Sequence, residues 1–508
     1  MKDLLSTRNS RAIPKDTVPV LSLEDFRKSI IEAPGRHRRV AALFAYEVDK
    51  TVELFVVLAE DRDGQLYLGS TRLESNSFPS MTNECPQVHL FEREIAEEWG
   101  VVPVGHPWLK PVRFVRSRRE GHDAWGRSAD VAPMVGVMDF YSVKGEEIHE
   151  VAVGPVHAGV IEPGHFRFQC HGEEVFHLEI SLGYQHRGIE RALLTKQGEL
   201  SKRALHYVET LAGDTTIGHT TAYCHVVEAL SECRVSARAH TLRGIALELE
   251  RLANHTGDLG ALANDVGFLP TASFCGRLRG DFLNLTASIC GNRFGRSLLG
   301  PGGVRFDIDK SRADDMIVRL DAAVRDVEGA VDLLWNSPSV QARFEDTGQV
   351  STSVATSLGL VGLAARASGV ERDVRHDLPA GIFRLAQIPV SVWHSGDVFA
   401  RAYVRSLEIS RSAIFVREHL RALPGGVLRA PCGRAAPNSV CVSLVEGWRG
   451  EICHVAITNP TGAFHAYKVF DPSFHNWSGL AMALRNEQIS DFPLCNKSFD
   501  LSYCGFDL

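Results

Sequence analysis

No two of the eleven cysteines stand three residues apart, so the chain has no Cys-x-x-Cys pair with which to hold a soft metal ion. Their odd number and irregular spacing argue against a disulfide framework and for small buried apolar side chains. No run of about 18 apolar residues exists, so no segment is expected to span a bilayer. The N-terminus, MKDLLSTRNSRAIPKD, lacks the apolar core of a signal peptide, and a cytoplasmic chain is expected. No Gly-x-Gly-x-x-Gly joins a strand to a helix, and GPGGV (Gly300 to Val304) is a turn motif, so any NAD would be bound by another chain. Nucleic acid is not an expected partner: net charge is −7, and the most basic stretch, Arg113 to Arg119, is short and is read as a solvated linker face.

The 508 residues, 44% apolar and 23% charged, are ordinary for a soluble globular protein and long enough for two to three domains. Residues 1–20 are read as a flexible leader. Residues 21–120 turn α/β: SLEDFRKSIIEA starts at a capping Ser22, then RVAALFAYEV, VELFVVLAED and QLYLGSTRL read as strands with an Asp63-Gly64 turn between the last two. A helix is expected from Leu90 to a closing Gly100, projecting Glu92, Arg93 and Glu94, which by themselves are solvated charges. Residues 121–150 have weak periodicity and form a linker. Residues 151–508 open with short strands and become helical, with helices expected at Ile189–Thr195, His219–Cys233, Ala237–Leu259, Lys310–Trp335, Val354–Ala365 and Val398–Leu423, and strands at Val440 to Val469.

Polar residues concentrate between Gly154 and Leu193, where His157, Glu162, His165, His186, Arg187 and Glu190 interrupt strand-like and helix-like runs. Buried charge is costly unless paired, so such density points to chemistry or a partner. His165, His171 and His177 stand six residues apart, a spacing that no zinc site uses, and are read as structural.

GPVHAGVIEPGHFRF and LGYQHRGIERAL resemble the opening of the large-subunit family shared by nickel-iron hydrogenases and the 49-kDa-type subunit of respiratory complex I. LELERLANHTGDLG, GNRFGRSLLGPGGV, LVEGWRGEICHVAI and DPSFHNW follow in the family's order. Ahead of them, FEREIAEEWGVVPVGHPWLKPV resembles the signature of the 30-kDa-type complex I subunit. The fusion is similar to the large subunits of formate hydrogenlyase and hydrogenase-4-type complexes. The resemblance implies an α+β N-terminal domain followed by a mainly α-helical hydrogenase-large-subunit-like domain with small β elements. It implies a small iron–sulfur partner of the 20-kDa type and other peripheral and membrane subunits, which would hold the chain at the cytoplasmic face of the inner membrane.

The family's ligand residues do not carry over. The first cysteine pair of the hydrogenases falls on Ala212 and Thr215, the second on Ser502 and Gly505, with Cys504 one residue out of register. Four thiolates hold nickel and iron, and this set offers no metal site. The quinone-contacting pair of complex I is not reproduced either: its first histidine is His157, but its second aligns with Ile161 and its tyrosine with Gly213. The vacated pocket would instead hold Glu162, Asp214, Thr215, His219 and Cys504. Glu162 is the candidate proton carrier, with a raised pKa if secluded. Arg449, preceded by Trp448 where the family has proline, either binds an anionic or carbonyl substrate or pairs with Glu162 or Asp214. His219 is either catalytic or a satisfied core histidine. His186 and Glu190 would share a helix face and, with Arg187 and His157, look toward the partner's cluster or the vacated site; a capping network is the alternative.

The resulting expectation is a large subunit that takes electrons from the partner's iron–sulfur cluster and gives them to a quinone or other small acceptor, with no cofactor of its own. A structural or coupling role is the alternative, and nickel-iron hydrogen chemistry ranks last. An open cavity lined by Glu162, Asp214, His219 and Arg449 would favour the first.

Overall fold

The computed structural model describes residues 4–128, 130–157, 161–194 and 203–508. Ser22 does cap the first helix, Leu23–Ile31, its hydroxyl accepting the Asp25 N–H at 3.1 Å. The apolar runs of Arg38–Val48 and Thr51–Glu60 pair antiparallel, followed by Gln65–Arg72, with Gly64 at φ +61° in the turn. Both faces of the first two strands are covered, which is why they read as unbroken apolar runs and not as an alternation.

The leader reading is corrected. Leu5–Thr7 adds a fourth strand beside Gln65–Arg72, and Arg11–Pro14 pairs with Ser439–Glu446 in a different sheet. Between them the buried Asn9 donates to the carbonyls of Leu378 (2.7 Å) and Leu444 (2.9 Å) and accepts the Leu444 N–H. Strands of three and four residues carry no readable period, and the second of them finds its partner more than 400 residues away.

Among the described residues, 105–147 contain no helix or strand. Ile148–Val153, His165–His171 and Glu174–Ser181 then form an antiparallel sheet. Gly172 turns the chain between the last two strands, so His165, His171 and His177 do not converge. The helix expected from Ile189 runs to Leu193; Thr195 lies outside the described residues. The helical body is Thr216–Leu230, Ala237–Asp265, Leu269–Cys290, Lys310–Trp335 and Val398–Arg421. Its second and fourth members start at Ser236 and Asp309, whose side chains accept from the N–H three residues on. The helix expected over Val354–Ala365 is two, Thr352–Leu358 and Gly362–Ala367, because Gly359 turns left-handed (φ +71°). The strand-rich end is an antiparallel sheet of Ser439–Glu446, Glu451–Thr458 and Phe464–Phe470, which packs on Thr216–Leu230. The molecule thus has a β-rich N-terminal region and a mostly helical remainder with small sheets.

The charged helix His89–Trp99 is not solvated: Glu92, Glu94, Glu97 and Glu98 are all buried. Glu92 accepts from the Ser80 hydroxyl (2.5 Å), the Met81 N–H (2.7 Å) and the Thr82 hydroxyl (2.7 Å). Glu97 takes the backbone N–H groups of Val112, Arg113 and Val115. Glu94 and Glu98 reach the Lys468 ammonium at 3.2 and 3.5 Å, and Glu190 joins them at 2.8 Å. Arg113 pairs with Glu94, and Arg118 with Glu98 (3.0 Å) and Glu190 (3.4 Å). The stretch Arg113 to Arg119 is therefore not simply a solvated face; Arg113 and Arg118 supply counter-charge for a buried acidic cluster.

Replacing Lys468 by Met leaves buried carboxylates short of a counter-charge. We expect Lys468→Met to cost about 3–5 kcal/mol in urea unfolding, and the double variant Lys468→Met/Glu190→Gln to recover a measurable part of that loss.

Candidate functional site

The site is built where three segments meet: the turn Ala212–Thr215 ahead of Thr216–Leu230, the Gly447–Gly450 turn between two strands, and the C-terminal Asp500–Leu508. Ala212 and Thr215 are buried. The Ser502 hydroxyl accepts the Gly505 N–H at 2.9 Å, capping the short helix Tyr503–Asp507. A Cβ on Gly505 would stand 2.7 Å from the Asp471 carboxyl carbon, so Asp471 occupies the room a side chain at 505 would need. Burial, with Glu162 adding to it, pushes the Cys504 thiol up to about 11. Two hydroxyls, a methyl, a bare glycine and a protonated thiol do not fit nickel and iron, which take deprotonated sulfur.

Arg449 pairs with Asp214, not with Glu162. Its two terminal nitrogens meet the Asp214 carboxylate at 2.6 and 2.9 Å, the fork-on-fork geometry that makes such pairs strong. Nε donates to the Asp500 carbonyl, and the guanidinium lies 3.9 Å over the Trp448 ring. Trp448, in the place of proline, donates its indole N–H to the Asp214 carbonyl at 3.0 Å. The turn carrying both is pressed against Gly362: a Cβ on Gly450 (φ +140°) would sit 2.7 Å from the Gly362 Cα.

His219 is buried and bonded at both nitrogens. Nε2 lies 3.0 Å from the Asp471 carboxylate and Nδ1 3.1 Å from His454 Nε2; His454 Nδ1 lies 2.8 Å from the Tyr467 hydroxyl. Asp471 can only accept and the phenol can donate, so both imidazoles are satisfied as neutral rings with every proton pointing toward Asp471. Burial, then His219, holds His454 well below the ordinary histidine pKa.

Glu162 is half-buried, accepts the Tyr503 N–H at 3.3 Å and lies against the Cys504 thiol. His157 is fixed by Nε2 on the Gly164 carbonyl (3.1 Å); Ala158 to Val160 lie outside the described residues, and Ile161 is exposed. Among the described residues each of Glu162, Asp214, His219 and Arg449 is bonded to a backbone or side-chain partner. Arg449 and Asp214 form one group, Glu162 and Cys504 a second, His219 and Asp471 a third, all against the C-terminal segment.

The helix face expected for His186 and Glu190 does not form, because the helix starts only after Gly188 (φ +70°). Glu190 turns inward to Lys468 and does not look toward a partner. His186 and Arg187 remain exposed on the preceding loop. Arg187 donates to the carbonyls of Thr210 (2.6 Å), Leu211 (2.9 Å) and Cys504 (3.0 Å). The N–H groups of Arg187 and Gly188 both reach the Leu508 carbonyl, and His186 Nδ1 meets the Asp507 carbonyl at 2.7 Å. Asp507 accepts from Gly183 and Gln185, and burial pushes its carboxyl up to about 6.

Sequence reasoning missed Asp471, His454, Tyr467 and Glu250. Asp471 opens the DPSFHNW block, where an acid before proline signals a helix cap, which it also is. Glu250 had no signal, since its role is long-range: it accepts the N–H groups of Ile217 (2.7 Å) and Gly218 (3.1 Å) at the start of Thr216–Leu230.

Compared with known proteins, residues 265–434 match the family of the respiratory-chain NADH dehydrogenase 49 Kd subunit. The chain is 30% identical over 446 residues to formate hydrogenlyase subunit 5 of Escherichia coli, covering 85% of this chain and 77% of that one. It is 32% identical over 355 residues to the carbon monoxide-induced hydrogenase of Rhodospirillum rubrum, covering 69% and 97%. To NADH-quinone oxidoreductase subunit 4 of Thermus thermophilus it is 28% identical over 381 residues, covering 70% and 92%.

Burial, with Asp214 adding to it, pushes the Glu250 carboxyl up to about 8, against an ordinary 4.5. A raised acid binds its proton more tightly folded than unfolded, so its contribution is complete below pH 4.5 and is lost as pH rises through about 8. We expect Glu250→Gln, which cannot ionise, to gain stability relative to the parent by up to about 1.4 kcal/mol per pH unit across that window and to run parallel above it, measured as urea midpoints from pH 5 to 9.

Proposed function

Since the chain belongs to the family of complex I 49-kDa-type large subunits that includes formate hydrogenlyase subunit 5, we propose that it is the large subunit of a complex-I-like, membrane-associated oxidoreductase. In this reading electrons leave the iron–sulfur cluster of a small 20-kDa-type partner, enter over the His186–Arg187 loop and reach a quinone or other small acceptor at the vacated site, without nickel-iron chemistry. The observation that carries it is Arg187. This exposed cation grips both halves of the vacated site, the Thr210–Leu211 side and the Cys504 side, so one side chain links the surface to the pocket. Its positive charge would stabilise an added electron on either side of it.

The pocket itself stays polar, with Asp214 about a third exposed at its edge while Arg449 is 5% exposed. Reduction of a carbonyl acceptor draws protons, and Glu162, half-buried beside Cys504, is the carboxylate placed to pass them on. The quinone pair of complex I is not available, so an acceptor would rest on the Arg449–Asp214 edge. Among the described residues no helix is long and apolar enough to cross a membrane. Attachment would run through partner subunits, at the cytoplasmic face.

A second reading, a structural or coupling role without chemistry, is favoured by the full commitment of Arg449 and of both His219 nitrogens. The intact complex separates the two. With its clusters reduced by dithionite and reoxidised by a water-soluble quinone, we expect Arg187→Met to slow reoxidation at least tenfold and Glu162→Gln to slow it severalfold, with the same set of partner proteins retained. Parent-like rates in both variants select the structural reading, and stoichiometric nickel in the complex overturns the proposed chemistry.

A further inference from the structure

A cavity of about 450 Å³ opens between the acidic helix His89–Trp99, the strand Glu174–Ser181 and the helix Pro472–Ala483. That volume is in the range of sites for small organic ligands. None of Glu162, Asp214, His219 and Arg449 lines it, so it is separate from the vacated pocket.

Its walls are apolar and aromatic, with Trp108, Leu178, Leu182 and Phe506 among them. Within this lining two buried polar atoms lack any partner: the indole N–H of Trp477, a residue 3% exposed, and Nε2 of His177.

The charge around the cavity is also unbalanced. Arg93 donates Nε to the Lys110 carbonyl and Nη2 to the Pro111 carbonyl, both at 2.8 Å, and has no ion-pair partner among the described residues. Burial pulls its pKa down to about 10, with Glu179 and Glu97 opposing that shift only in part. Arg485, exposed at the rim, likewise has no ion pair or side-chain hydrogen bond among the described residues. The one carboxylate in the wall, Glu179, is already neutralised by Lys110 at 2.7 Å and accepts the Tyr141 N–H. Burial keeps His177 below the ordinary histidine pKa, and His89 is bonded to the Ser478 hydroxyl.

From this pattern we propose that the cavity binds a small carboxylate amphiphile, its apolar body among Trp108, Leu182 and Phe506 and its carboxylate between Arg93 and Arg485. An alcohol of the same chain length fills the same apolar volume and leaves both guanidinium groups unpaired, so the site discriminates by charge.

The test uses the full chain with decanoate as probe and decan-1-ol as the neutral control, binding being measured by calorimetry. We expect decanoate to bind with one-to-one stoichiometry and at least tenfold tighter than decan-1-ol. Arg485→Gln, at an exposed position that does not support the fold, should weaken decanoate at least threefold and leave decan-1-ol unchanged; Arg93→Gln should weaken it at least tenfold. Ala481→Trp, which fills the cavity without removing a charge, should abolish binding of both. Because Arg93 also holds the 110–111 backbone, its variant counts only with a parent-like melting temperature, and Arg485→Gln and Ala481→Trp decide without it. Absence of decanoate binding, equal affinity for the alcohol, or binding that survives Ala481→Trp overturns the proposal.

Discussion

Lys468 sits where four parts of the chain must agree. Its ammonium is shared by Glu94 and Glu98 of the acidic helix and by Glu190 of the short helix after the exposed loop, while Arg113 and Arg118 close the cluster from the connecting segment. A buried ion left alone costs several kcal/mol, so none of these segments can settle before the others are in place. Two further networks extend the same constraint. Arg39 on the first long strand pairs with Glu451 and Asp61, tying the N-terminal sheet to the strand that follows the Arg449 turn. Glu408 collects Arg251, Arg366 and His255 in the helical body, and Arg366 passes on to Glu446 just before that turn. Glu446, Arg449 and Glu451 are thus each committed to a different partner. The turn at the vacated site is held by charge on three sides.

The Arg449 turn and the C-terminal segment are joined by polar side chains that answer one another. Asp214 and Arg449 supply opposite charges within one hydrogen-bonded pair, so their charges neutralise each other. Asp471 takes the room at Gly505 and is itself answered by His219, which His454 and Tyr467 complete. Of the four ligand positions only Ala212 carries an apolar side chain, a single methyl, and the groups that close the space are polar.

What the sequence revealed depended on the range of the interaction. Lys310–Trp335 was legible because its cap at Asp309 and its apolar stripe lie within its own residues. The fused two-part organisation was legible because whole blocks stood in order. Glu94 was misread, since a charge on a helix looks the same in solvent as in a network whose other half, Lys468, is some 370 residues away. The contacts of the site were not legible, since nothing local chose Asp214 over Glu162 as the partner of Arg449. Glu190 failed for a local reason, the left-handed Gly188 that delays the helix.

The pairing of Arg11–Pro14 with Ser439–Glu446 bears on the chain's birth as well as its final shape. Arg11–Pro14 leaves the ribosome more than 400 residues ahead of its sheet partner. At about 5–20 residues per second, that strand waits on the order of tens of seconds for the edge it will cover. During that interval Asn9 has neither of the carbonyls at Leu378 and Leu444 to bind. The N-terminal segment is therefore a clasp that shuts only after the strand Ser439–Glu446 has been made.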